Sequence, residues 1–196
     1  KPKLINMTNE ATPNPSPSTG FSLMAVVLHW LLGAALIAMF TVGYYMEDLP
    51  VSPERLKLFN WHKWAGICIL SLSLWRLVWR LTHRPPPLSA DIQRSMPRWQ
   101  HHAHYLTQYS MYALFFIVPL AGWAYSSAAG YPVVVFGVLP LPDFVPANEA
   151  LAESIKPLHE YTAMALALLI MLHVAAALKH QWWDKHALLQ RMWPRR

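Results

Sequence analysis

The sequence predicts an all-α membrane protein, a bundle of four transmembrane helices with both termini on the cytoplasmic side. Three observations predict it. The 196 residues are 55% hydrophobic and 13% charged, about half the charged share of an ordinary soluble domain. Four apolar runs approach or exceed the length that crosses a hydrocarbon core. The basic residues fall mostly into the segments that would lie on one side of the membrane. One domain is expected, over residues 21–192, between a flexible polar tail at 1–20 and a short tail at 193–196.

The first 20 residues hold Pro2, Pro13, Pro15 and Pro17 and lack the apolar core of a signal peptide. Leu23 to Tyr45 carries no charge and predicts the first helix, about 23–45. The second, about 59–80, has Lys63 and Arg76 close to its ends, where long basic side chains reach the interface. The third, about 105–127, is uncharged and contains Pro119, a kink signal. The fourth is placed at about 159–180. Between the second and third helices, Pro85, Pro86, Pro87 and Pro97 act as stops. The loop between the third and fourth helices is read as the longest, Ser126 to Leu158.

The orientation follows from charge. Of 16 Lys and Arg, Lys1, Lys3, Arg76, Arg80, Arg84, Arg94, Arg98, Lys179, Lys185, Arg191, Arg195 and Arg196 lie with the termini and the second loop. Arg55, Lys57 and Lys156 lie with the first and third loops. The positive-inside rule therefore puts both termini in the cytoplasm. The net charge of +6 is explained by the anionic inner leaflet rather than by a nucleic-acid partner, because the cations flank apolar segments instead of forming one patch. The single cysteine, Cys68, excludes an internal disulfide. No C-x-x-C-H is present for covalent haem attachment, nor a zinc-type Cys/His spacing.

Ionisable residues inside a span are functional candidates by default. Four histidines qualify: His29 and His173 at the inner level, His62 and His159 at the outer level, with His62 and His159 read as opening their helices. His159 and His173 are 14 positions apart, which returns to within roughly 40° of the same helical face and rises roughly 21 Å. Two stacked sites fit that spacing, and imidazole is a standard axial ligand of haem iron. Each of the four is followed four residues later by Gly33, Gly66, Ala163 or Ala177, a low neighbouring turn against which a macrocycle can lie. His101, His102 and His104 read as interfacial, His104 being the substitute partner for His29. His180 repeats the face of His173 and is placed at a quinone pocket or a haem propionate. Arg76 is placed near the inner level as a propionate partner, and Lys63 beside the outer site, where it attracts an anion or pairs with a propionate. A proton carrier without haem is the alternative of another class; proton relays want buried carboxylates, and no Asp or Glu lies in a span centre.

The segments Val27-Leu-His-Trp-Leu31, Asn60-Trp-His-Lys-Trp-Ala-Gly66, Leu158-His-Glu160 and Leu172-His-Val-Ala-Ala-Ala-Leu-Lys-His180 resemble the bacterial cytochrome b561 family. So do Phe136-Gly-Val-Leu-Pro140 and Leu189-Gln-Arg-Met192, and the likeness runs from about Phe21 to Met192. The resemblance implies two non-covalent b haems with ligands at His29, His62, His159 and His173, and a place in the bacterial inner membrane. It also implies electron transfer between superoxide outside and ubiquinone in the membrane, or service as the cytochrome subunit of a larger respiratory complex with a redox protein partner. Gln108 departs from the family pattern, which often has a histidine there.

Overall fold

The computed structural model describes residues 20–88 and 90–193. The expected tail at 1–20 lies outside the described residues apart from Gly20, as does 194–196 of the C-terminal tail. Trp193, the first residue of that tail, packs its ring 6.3 Å from Trp30.

Four long helices make the fold: α1 (Leu23–Glu47), α2 (Pro53–Thr82), α4 (Arg98–Ala128) and α5 (Glu149–Leu178), with a short α3 (Ala90–Ser95) between the second and third of them. All four are long and apolar enough to cross a membrane. They form a closed ring in which α1 lies beside α2, α2 beside α4, α4 beside α5, and α5 against α1. Each contributes one side chain to the buried centre: Leu32, Ile69, Phe115 and Leu166. Leu166 is seven residues from both His159 and His173, so this apolar layer lies about 10 Å along α5 from each histidine level. Large apolar side chains such as Ile37, Leu74, Leu168 and Leu172 remain on the outside, the face that lipid covers.

The helices begin earlier than the apolar runs. The second starts at Pro53 instead of 59, the third at Arg98 instead of 105, and the fourth at Glu149 instead of 159. Capping explains two of these starts. Ser52 Oγ accepts from Arg55 N at 3.2 Å, and Asn148 Oδ1 accepts from Leu151 N at 2.9 Å; such caps contribute about 1 kcal/mol each. Pro53 occupies the first turn of α2, where its missing N–H costs nothing. Pro157 sits inside α5 and is tolerated. His62 and His159 therefore do not open their helices; each lies between about two and three turns inside.

The connection between α4 and α5 is shorter than expected for the same reason, and it carries a small hairpin. Val134–Val135 (β1) pairs antiparallel with Leu139–Pro140 (β2). The turn residues Phe136 and Gly137 have φ of 54° and 72°, the mirror-image turn that matches strand twist. Positive φ is unfavourable for Phe; here it places the Phe136 ring 5.7 Å from Trp64 of α2.

At the opposite end from this hairpin, the C-terminal segment closes the bundle. A π turn (Lys179–Trp183) follows α5, and a 3₁₀ turn (Leu188–Met192) follows a reversal. Trp30 Nε1 donates to Met192 O at 2.7 Å, and Arg191 donates to Pro86 O and Pro87 O at 2.6 and 3.0 Å.

Candidate haem sites in the bundle

The ring closure brings the four span histidines together in two pairs. His29 of α1 faces His173 of α5, with ring centres 6.1 Å apart and planes at 74°. His62 of α2 faces His159 of α5, at 6.2 Å and 85°. His29 thus meets His173 and not its substitute His104, whose ring packs against Tyr105.

The separation has a chemical meaning. Two imidazoles on opposite sides of one metal ion, with metal–nitrogen bonds of about 2 Å, hold their ring centres about 6 Å apart. Contacting rings in an ordinary core do not need the space around them to be open. Here it is: a Cβ added at Gly33 or at Gly66 would meet nothing within 4 Å among the described residues. These glycines stand one turn after His29 and His62, where a macrocycle would lie. His62 Nδ1 is buried without a hydrogen-bond partner among the described residues. The residues present therefore fit haem iron held between paired imidazoles.

Two other glycines do the opposite and are filled by the histidines themselves. A Cβ at Gly43 would stand 3.1 Å from His62 Cε1, and one at Gly122 would stand 2.9 Å from His159 Cε1. A Cβ at Gly122 would force the His159 ring to shift, and one at Gly43 would crowd that of His62. The close approach of α4 lets His159 Nδ1 donate to Val118 O at 2.9 Å. A carbonyl can only accept, so this bond assigns the proton to Nδ1 and leaves the Nε2 lone pair for a metal, a familiar outer-sphere arrangement. Gly43, Gly122 and Val118 were not legible as site residues, because glycine is common in membrane helices whatever its role.

Arg76 lies at the level of the His29–His173 pair. Its guanidinium donates to Ala25 O at 3.2 Å and approaches His29 Nδ1 at 3.4 Å. Ala25 is one turn before His29, so Arg76 ties that turn of α1 to α2. Lys63 donates to Pro132 O at 3.4 Å; together with the Trp64–Phe136 contact it holds the hairpin against the end of α2 that carries His62. Lys57 lies over the Trp61 ring at 4.7 Å. His180 stands in the π turn after α5, its Nδ1 2.7 Å from Asp184 Oδ2.

The chain is similar to known proteins over most of its length. The family described as prokaryotic cytochrome b561 matches residues 20–195. Cytochrome b561 homolog 2 of Escherichia coli (strain K12) is 30% identical over 88% of this chain and 90% of its own length. Cytochrome b561 homolog 1 of the same organism is 31% identical over 90% of this chain and 98% of its own. A Yersinia pestis protein named "Probable superoxide oxidase CybB" is 28% identical over 90% of this chain and 97% of its own. With nearly its whole length matched and its four long apolar helices arranged around paired histidines, the chain belongs to the prokaryotic cytochrome b561 family of membrane cytochromes.

Proposed function

We propose that this membrane cytochrome holds two haem b groups, one between His29 and His173 and one between His62 and His159. It transfers electrons from superoxide on the periplasmic side to ubiquinone in the membrane. The two imidazole pairs at haem-compatible separation, on two levels of one bundle, carry the haem part of this reading, and the similarity to a protein named a probable superoxide oxidase supports the donor. Haem b, when bound, supplies a one-electron iron couple. Two superoxide anions give up one electron each and leave as two O₂; one ubiquinone takes up the two electrons and two protons to become ubiquinol.

The chain's own groups have distinct parts in this. Each pair draws its two iron-ligating histidines from two different helices, and the Val118 carbonyl holds the proton of His159 on Nδ1. Lys57 and Lys63 bring positive charge to the end of α2 next to His62, which favours approach of an anion. Arg76 provides a guanidinium at the inner level, where it can pair with a haem propionate. His180 lies at the same end of the bundle, seven residues beyond His173, and is placed at the ubiquinone site. With the basic termini and second loop in the cytoplasm, the His62–His159 level faces the periplasm of the bacterial inner membrane.

Direction and substrate are tested together. Superoxide is charged and crosses hydrocarbon poorly. Superoxide generated outside right-side-out vesicles is expected to reduce the haem bands and form ubiquinol, while inverted vesicles respond little. Unchanged bands in right-side-out vesicles would remove superoxide as the donor, and an equal or larger response in inverted ones would reverse the orientation.

A second reading makes the chain a subunit of a larger respiratory complex. The exposed Phe136, Val138, Leu139 and Phe144 of the outer connection favour it, since apolar side chains gathered on a water-facing loop mark interaction surfaces. Stoichiometric co-purification with a redox protein, lost on replacing Phe136 and Val138 by Ser, would select it.

A further inference from the structure

The inner end of the bundle carries a cluster of metal-ligating side chains apart from the four span histidines. His180, Asp184 and His186 each offer a ligand atom, and these atoms all lie within 4.8 Å of one another. The local backbone produces this. The π turn after α5 closes with Asp184 N donating to Lys179 O at 3.1 Å, and the chain then reverses so that His186 N donates to His180 O at 2.9 Å. The reversal needs left-handed conformations at Lys185, φ 55°, and Ala187, φ 51°. These are uncommon for residues with a Cβ. It returns the His186 ring over that of His180, with centres 5.8 Å apart and planes at 18°.

The polar atoms of the cluster are arranged for a ligand. His186 Nδ1 is buried and has no hydrogen-bond partner among the described residues, a costly condition for an imidazole unless something binds there. Its other nitrogen, Nε2, lies 3.2 Å from Ser95 Oγ of α3, as an outer partner would orient a ligating ring. Asp184 Oδ2 lies 2.7 Å from His180 Nδ1. Lys179 Nζ reaches both carboxylate oxygens, at 2.9 and 2.6 Å, and can remain on Oδ1 when Oδ2 takes a cation.

We propose that His180, Asp184 and His186 bind a divalent transition-metal ion of the zinc class. Two imidazoles and one carboxylate suit such an ion, whereas magnesium and calcium want oxygen ligands throughout. The ion takes His180 by Nδ1 and leaves Nε2 free. It fastens the C-terminal segment, which also carries Arg191 and Met192, to the end of α5 and to α3. The sequence shows no zinc-type Cys/His spacing; the site exists because the reversal at Lys185 and Ala187 brings His186 back to His180. It does not depend on the haem reading.

The test is calorimetric titration of Zn²⁺ into the full chain in detergent, purified without a histidine tag and stripped with chelator. One site per chain is expected, with two imidazoles and oxygen at about 2.0–2.1 Å by zinc-edge X-ray absorption. His186→Ala and Asp184→Asn should each weaken it more than about 100-fold, and Ser95→Ala about 10-fold, the scale of an outer partner's loss. His83→Ala, an exposed histidine elsewhere at this end, should leave it unchanged. Absence of a site in the native chain, survival of binding in both His186→Ala and Asp184→Asn, or its loss in His83→Ala would overturn the proposal. Size-exclusion behaviour reports folding of each variant, and the absorption spectrum follows haem separately.

Discussion

Replacing His62 or His159 by Ala is expected to remove one haem, and replacing His29 or His173 the other. Total haem falls from two per chain to one in each single variant. The expectation follows from the pairing: His62 and His159 face each other at 6.2 Å, and His29 and His173 at 6.1 Å. Double variants make the test sharper, because residues acting as a unit are strongly non-additive. His62→Ala with His159→Ala should cost no more haem than either alone. His62→Ala with His173→Ala, which breaks both levels, should leave none. Haem quantification by pyridine haemochrome and reduced-minus-oxidised spectra decides this. Loss of both haems in every single variant, with the chain still monodisperse and helical, would contradict two independent sites. The middle layer of Leu32, Ile69, Phe115 and Leu166 is the reason to expect independence. It packs the bundle between the two levels, so that emptying one need not unfold the other.

The second large effect is expected at the glycines, and its value lies in opposite signs. Gly33 and Gly66 have open space around an added Cβ. Glycine in a helix interior costs about 1 kcal/mol relative to Ala. Without haem, Gly33→Ala and Gly66→Ala should therefore fold as well as the native chain or slightly better, and Gly33→Leu and Gly66→Leu extend a side chain from the same open positions. With haem, the same side chains occupy the room a macrocycle needs, and each variant should lose the haem of its own level: the inner one for Gly33, the outer one for Gly66. A role in helix packing alone predicts the reverse, a less stable bundle with no preference between levels. Gly122→Ala acts from the other side of the outer site. Its Cβ would stand 2.9 Å from His159 Cε1, closer than carbon atoms approach, so the ring must move and its bond to Val118 O weakens. Losing such an outer partner lowers metal affinity by about 10- to 100-fold. The outer haem alone should become labile. Haem retention after dilution, measured beside thermal unfolding of the haem-free chains, separates these outcomes.

The sequence by itself determined the class of the protein, the number of spans and the shared helical face of His159 and His173; it placed His62 and His159 too close to the starts of their helices. The properties it determined are written along a single helix. Apolar length, charge at the ends and a fixed advance per residue are enough to say that His159 and His173 share one side of α5 at two levels. The helix ends were less legible, because caps such as Ser52 and Asn148 and a tolerated Pro157 carry helix beyond the apolar run. Only the tertiary structure decided what each nitrogen faces. That Val118 offers its carbonyl to His159, that Gly43 and Gly122 lie under the rings, that Arg76 reaches Ala25, and that His186 returns to His180 depend on interhelical distance and on a backbone reversal. Contacts of a few ångströms between residues far apart in the chain are set by how the helices pack, and no periodicity within one helix encodes them.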